Sequence, residues 1–232
     1  MREIVLDTET TGLDPLNGDR IIEIGCVELR NYVPTGRTFQ RYVNPERDVH
    51  PDATAISGLT WEKLKHYSVF GGVAGELLDF IEAAPLVIHN AKFDIGFLNA
   101  ELGRLGLPSI ALDRATDTVQ LARRMFPGAP ASLDALCKRF GVDNSSRTFH
   151  GALLDCQLLA ECYLELRGGR QTSLMGETMT AAQSATVVAE RAFRAARPHA
   201  PTPEEAEAHE NLLAQIKNAM WKDDKEKEKK SA

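Results

Sequence analysis

The sequence predicts an α/β domain followed by a separate C-terminal appendage. Three strand-like segments with short connections open the chain, compact apolar strands then alternate with helical periodicities, and the composition changes near residue 170. The length of 232 residues, at about 150 per domain, leaves room for one filled core and a shorter piece.

Ile4-Val5-Leu6 reads as a short buried strand, and Arg20 to Leu29 as a longer one with rough polar and apolar alternation. Thr38 to Val43 reads as a third, and the short connections imply an antiparallel meander. Val69 to Glu82 then carries helical spacing, Pro85 to His89 is a compact buried strand, and Asp94 to Leu105 is helical again. Further helices are predicted over Asp117 to Phe126, over Leu133 to Phe140 behind the N-cap Ser132, and over Gly151 to Leu166. Gly168-Gly169 ends the last of these.

Residues 1–168 therefore form the predicted domain. Residues 169–203, rich in Thr, Ser, Ala and Gln, read as linker, although Ala182 to Ala196 has helical spacing. Residues 204–232 form a final helix and a charged tail. Thr202-Pro203-Glu204-Glu205 supplies an N-cap, a proline at the first helical position and a capping-box glutamate. The helix runs to Trp221 with Ala206, Leu213, Ile216 and Met220 near one face, which serves either a partner or the chain's own core. Lys222 to Lys230 is a mixed charge run, expected to be solvated.

Composition excludes several classes. No run of about 18 apolar residues exists to span a membrane. The apolar triplet after Met1-Arg2-Glu3 is too short for a signal peptide, so a cytoplasmic location is expected. Cys26, Cys137, Cys156 and Cys162 show no C-x-x-C pair and sit in apolar segments, which suits reduced, buried thiols. With 27 Lys and Arg against 33 Asp and Glu, the net charge is −6. That disfavours a free-standing nucleic-acid clamp, because non-specific affinity comes from basic side chains displacing counterions. An acidic protein acting on DNA needs cations or a partner to hold it there.

Asp7-Thr8-Glu9-Thr10-Thr11-Gly12 directly follows the first strand. Side chains at i and i+2 of an extended chain share a face, so Asp7 and Glu9 aim their carboxylates together. Such a pair either caps a strand end at the surface or brackets a divalent cation, and hard oxygen ligands select Mg²⁺ or Mn²⁺ over zinc. Asp94 lies near the start of its predicted helix, where a plain N-cap is the alternative role. His150 stands at the start of another, with Asp155 little more than one turn inside it beside Leu153, Leu154 and Cys156. A carboxylate on an apolar face requires a cation or a donor. The set suits a two-metal hydrolase in which one neutral histidine takes a proton from the attacking water. His150 is placed for that role, although a histidine satisfied by a backbone carbonyl is equally compatible with its spacing. His89 is the rival base, at a strand end that suits a structural role better.

Taken in order, Asp7/Glu9, then Asp94 within His89-Asn90-Ala91-Lys92-Phe93-Asp94, then His150/Asp155 resemble the DEDD superfamily of 3′→5′ exonucleases. A histidine five positions before the last aspartate marks the DEDDh branch. Ile21-Ile22-Glu23-Ile24-Gly25, Phe93-Asp94-Ile95-Gly96-Phe97, Ser132-Leu133-Asp134-Ala135-Leu136-Cys137 and the stretch from Arg147 to Asp155 are similar to the epsilon proofreading-subunit family of bacterial DNA polymerase III. The resemblance covers about residues 1–168.

It implies a ribonuclease H-like mixed sheet flanked by helices, with the active site at one edge. It implies two divalent cations, Mg²⁺ or Mn²⁺, the first held by Asp7, Glu9 and Asp155, the second shared by Asp7 and supported by Asp94 through water, with His150 as general base. Thr8, Thr10, Leu13 and Asn90 line the place of the terminal nucleotide, and His50 to Leu59 crosses it with Asp52 and Ser57 near the 3′ end. Relatives often carry histidine where this chain has Ser57. The implied activity is metal-dependent 3′→5′ exodeoxyribonuclease, releasing nucleoside 5′-monophosphates and proofreading for a replicative polymerase. Gln171-Thr172-Ser173-Leu174 looks like a sliding-clamp motif, with Gln171 and Leu174 as its anchors. Glu204 to Trp221 looks like the segment that holds the polymerase alpha subunit, and a small third core subunit is a further implied partner. An exoribonuclease of the same fold and a non-catalytic adaptor are the rival readings.

Overall fold

The computed structural model describes residues 1–145, 147, 149–169 and 200–216. The chain divides into two units, Met1–Gly176 and Glu177–Ala232. The first holds five strands: β1 (Arg2–Thr10), β2 (Ile21–Arg30), β3 (Val33–Tyr42), β4 (Leu86–Ile88) and β5 (Ala115–Asp117). Seven α-helices belong to it among the described residues: α1 (Pro51–Ser57), α2 (Trp61–Leu64), α3 (Phe70–Ile81), α4 (Ala91–Arg104), α5 (Thr118–Met125), α6 (Leu133–Phe140) and α7 (Ala152–Leu166). The strands lie in the order β3-β2-β1-β4-β5. The expected meander is present as β1–β2 and β2–β3 antiparallel pairs, while β4 lies parallel to β1 and β5 parallel to β4.

Central β1 owes its length to pairing. It continues past the apolar triplet through Asp7 and Glu9 because β2 supplies backbone partners as far as Thr10. Outer β3 starts at Val33, earlier than the expected Thr38, and its first six residues are exposed. Pro34, Gly36 and Arg37 leave no apolar alternation there, as befits a protected edge strand. Three-residue β5 was not anticipated from sequence, where Asp117 read as the start of a helix. Asp117 instead ends the strand and caps α5, its carboxylate accepting from the Val119 and Gln120 amides.

Side chains alternate across the sheet. Ile4, Leu6, Ile24, Cys26 and Ile88 face a core completed by α3 and α4, whereas Val5, Val27, Leu29 and Val87 face one completed by α6 and α7. All four cysteines are free and buried, as expected. By this alternation Asp7 and Glu9 project on the α7 side and Thr8 on the α4 side. Buried ion pairs clamp the periphery. Arg20 forks onto Glu101 at 2.6 and 3.0 Å, tying the start of β2 to α4, and Glu28 receives Arg2 and Arg37.

The start of α7 presses directly on β2. A Cβ at Gly25 would lie 2.3 Å from the Ala152 carbonyl carbon and 2.4 Å from the Leu153 nitrogen. Glu23 Oε2 accepts the Ala152 amide at 3.3 Å, placing a carboxylate at the helix N-terminus.

In the second unit α8 (Pro203–Gln215) begins as expected, with a reciprocal capping box between Thr202 and Glu205 and Pro203 in the first turn. The helix stops short of the expected Trp221, ending at Gln215 with Ile216 already extended at φ −88° and ψ 119°; residues 217–221, most of the expected linker and the charged tail lie outside the described residues. Among the described residues no helix is long and apolar enough to cross a membrane.

Because Gly25 faces backbone rather than a movable side chain, Gly25→Ala is expected to destabilise the fold by about 1–3 kcal/mol. Denaturant titration followed by circular dichroism checks this. An unchanged midpoint would show that α7 does not rest on β2 as described.

Candidate active site

Three elements meet where β1 ends. Asp7 and Glu9 come from the strand, Asp94 from the first turn of α4, and Asp155 from the first turn of α7. Asp155 lies closer to its helix start than the sequence suggested, because α7 begins at Ala152 behind the extended N-cap Gly151, and His150 stands outside the helix. Asp94 is 2% exposed and does not cap its helix; Asn90 holds the cap position at φ 71°, a left-handed conformation that asparagine tolerates. The Thr8 amide and hydroxyl both donate to Asp94 Oδ1, at 2.9 and 2.8 Å. Asp155 is 5% exposed and accepts a two-pronged contact from Arg147, Nε to Oδ1 at 2.7 Å and Nη2 to Oδ2 at 2.5 Å.

Crowding shows in the proton affinities. Burial, and then the neighbouring Asp94, Glu9 and Asp155, pushes Asp7 well above the usual carboxylate range, against the pull of Arg147. Burial first, with Asp155 and Glu23 next, pushes Glu9 up to about 8. Burial likewise raises Asp94, while the Thr8 donors oppose the rise. Glu9, His150 and Asp155 each bring a ligand atom within 4.8 Å of the others. An all-oxygen carboxylate set with one imidazole, carrying more negative charge than Arg147 balances, fits hard divalent cations. Thiols do not compete, since burial pushes the Cys26 and Cys156 sulfhydryls up and keeps them protonated.

The two histidines differ. His150 is 45% exposed, with Nδ1 3.6 Å from Asp155 Oδ2. His89 Nδ1 lies 3.0 Å from the Thr118 hydroxyl, which itself donates to the Ile88 carbonyl, so Nδ1 donates and the ring is fixed structurally.

A cavity of about 490 Å³ opens beside the carboxylates, lined by Thr8, Glu9, Thr10, Leu13, Asp52 and Phe93 among others. Leu13 is 85% exposed and also borders a second cavity of about 460 Å³ that includes Asn90. Ser57 departs from expectation. It lines neither cavity, and its hydroxyl donates to the Ala53 carbonyl at 2.9 Å and accepts the Leu59 amide, so it stabilises the end of α1. Gln171 and Leu174 lie outside the described residues. Sequence reasoning missed Arg147, although it stood within the quoted motif. It also missed Asp19, whose carboxylate accepts the Thr11 hydroxyl and the Asp14 amide and fills the space that a Cβ at Gly12 would need. Gly12 was the available signal.

The profile of an exonuclease family matches residues 4–163. The DNA polymerase III subunit epsilon of Rickettsia felis is 49% identical over 222 residues, 93% of this chain and 97% of that one. Among solved structures, Exonuclease X in complex with 5′ overhanging duplex DNA superposes with a TM-score of 0.55 at 25% identity, over 71% of this chain and 90% of that one. The nuclease domain of 3′hExo, a DEDDh family member bound to rAMP, shares the fold with a TM-score of 0.61 at 20% identity, over 72% of this chain and 91% of that one. Sequence likeness across nearly the whole of both chains, with the exonuclease profile covering residues 4–163, establishes that the chain belongs to the DNA polymerase III epsilon-subunit family of exonucleases.

Proposed function

We propose that the chain is a divalent-metal-dependent 3′→5′ exodeoxyribonuclease that releases nucleoside 5′-monophosphates and proofreads for a replicative DNA polymerase. The observation that carries this reading is the meeting of Asp7, Glu9, Asp94, Asp155 and His150 beside a cavity of nucleotide size. Exonucleases of the family depend on divalent cations. The proposed ligands are Asp7, Glu9 and Asp155 for a first Mg²⁺ or Mn²⁺, with Asp7 shared and Asp94 supporting a second. When bound, such ions acidify a water and stabilise charge on the phosphate and the departing oxygen.

The chain's own residues do the rest. His150 takes the water proton at a ring nitrogen, Thr8 holds Asp94 in place, and Leu13 and Phe93 offer apolar surface to the terminal base. Asp52 and Thr10 bring polar atoms to the same cavity, and Asn90 to the neighbouring one. A net charge of −6 disfavours strong DNA binding by the chain alone, so tethering to a polymerase supplies the effective concentration. Weak affinity also favours frayed, mispaired ends, which cost less to unpair than matched ones.

The proposed tether is the helix beginning at Pro203, which contacts the polymerase alpha subunit, with Gln171 and Leu174 touching a sliding clamp and a small third subunit on the core. A cytoplasmic location completes the reading.

Asp7→Ala is expected to abolish Mg²⁺-dependent shortening of a 3′-mispaired primer while leaving polymerase co-purification intact; undiminished turnover would remove the metal assignment. Deleting residues 171–232 should preserve hydrolysis of single-stranded oligonucleotides and lose co-purification with the polymerase, and retention would place the tether on the core.

Stability without divalent ions should also respond to pH. Glu9 rises from 4.5 to about 8 on folding, so between those values the folded state binds more protons than the unfolded one. Stability is therefore fully present below pH 4.5 and is lost as pH rises towards 8. Melting in chelator should show that decline, and Mn²⁺ should restore more stability at the alkaline end than at the acid end. A melting point that rises across the window would contradict the crowded-carboxylate description.

A further inference from the structure

We infer that Arg147 is the positioning residue of this site, aiming the Asp155 carboxylate and the His150 ring together; the inference rests on the exonuclease reading above. Its guanidinium uses three nitrogens on four acceptors. Nε and Nη2 grip both oxygens of Asp155 at 2.7 and 2.5 Å, Nη2 also reaches His150 Nδ1 at 3.0 Å, and Nη1 donates to Asp134 Oδ1 at 2.7 Å. The Arg147 side chain is 7% exposed, and Asp155 is comparably buried, so this pairing is little screened by solvent. Asp134 is mainly exposed and is held in turn by the Asn144 amide, anchoring Arg147 to the first turn of α6.

A guanidinium has five N–H donors and no acceptor. The nitrogen of His150 that faces it must therefore be unprotonated in the neutral ring, which puts the ring proton on Nε2. Nδ1 then rests its lone pair on Arg147 beside Asp155, and takes a proton from water only as that contact opens. Arg147, Phe149 and His150 lie between α6 and α7 without helix or strand, so no regular element carries the histidine. Its other anchors are the His150 amide donating to the Ile56 carbonyl at 3.0 Å and the Phe149 ring packed over Gly58. Arg147 alone among these holds the imidazole itself. Lysine would keep the charge but has neither the planar fork nor a fixed third donor.

The test uses the full chain carrying Arg147→Gln or Arg147→Lys, with circular dichroism melts to confirm folding. On a single-stranded DNA oligonucleotide with saturating Mn²⁺, both variants are expected to lose about 100-fold in kcat with KM changed less than about threefold, the signature of misaligned reacting groups. A second readout needs neither metal nor DNA. Ring ¹⁵N NMR, with the His150 signals assigned by their loss in His150→Gln, should place the proton on Nε2 in the parent chain and show mixed tautomers in Arg147→Gln. A raised KM at unchanged kcat, full recovery in Arg147→Lys, or an unaltered His150 tautomer in Arg147→Gln would each overturn the inference. If the parent chain itself does not degrade DNA, the exonuclease reading fails, and the tautomer measurement still decides the role of Arg147.

Discussion

Four carboxylates held in one corner repel one another, and much of the architecture serves to prevent their escape. Two like charges about 4 Å apart cost on the order of 4 kcal/mol at an effective dielectric near 20. β1 is held from bending away by β2, which pairs with it past Asp7 and Glu9, and by β4, which pairs with its base at Ile4 and Val5. Asp94 is fixed by two donors from Thr8, a residue of the same strand that points to the opposite face. Asp155 is delivered by a helix whose first turn is pressed against Gly25 and capped by Glu23. The strain is relieved by protons, by one guanidinium or by bound cations, and that is the electrostatic meaning of a metal site made from acids.

The remaining buried carboxylates are treated differently. Glu101 has Arg20 and Arg104, and Glu28 has Arg2 and Arg37, so each buried anion lies against cations and contributes to holding the periphery. Glu3 lies under Tyr163, whose hydroxyl donates to one of its oxygens at 2.9 Å. Burial does not separate structural acids from reactive ones, since Glu101, Glu28, Asp94 and Asp155 are all nearly inaccessible; what marks the reactive corner is carboxylate beside carboxylate, as Asp94, Glu9 and Asp155 stand around Asp7.

Much of the fold was legible in the sequence because apolar period reports burial. The helices α3, α4, α6 and α7 and the central strands announce themselves that way. Elements held by pairing rather than by burial were not legible. The first half of β3 is a polar edge, and β5 is three residues long beside a capping aspartate. The carboxylates could be read from i, i+2 spacing and from an aspartate on an apolar face. Arg147 could not, because a single basic residue in irregular chain has no pattern, and its partners Asp134 and Asp155 come from two different helices. Ser57 misled for a related reason. Its neighbours in sequence border the cavity, yet helical geometry turns its hydroxyl back onto its own backbone.

The seven-residue α1 forms one wall of the larger cavity through Asp52, Ala53 and Ile56, and the carbonyl of Ile56 is the acceptor for the His150 amide. Wall and histidine are thus stitched by a single backbone bond. Displacing α1 pulls on the backbone of His150, while Arg147 holds the ring. The cavity wall and the segment that carries the histidine meet again at the left-handed turn of Gly58, where φ is 69° and the Phe149 ring lies over the glycine.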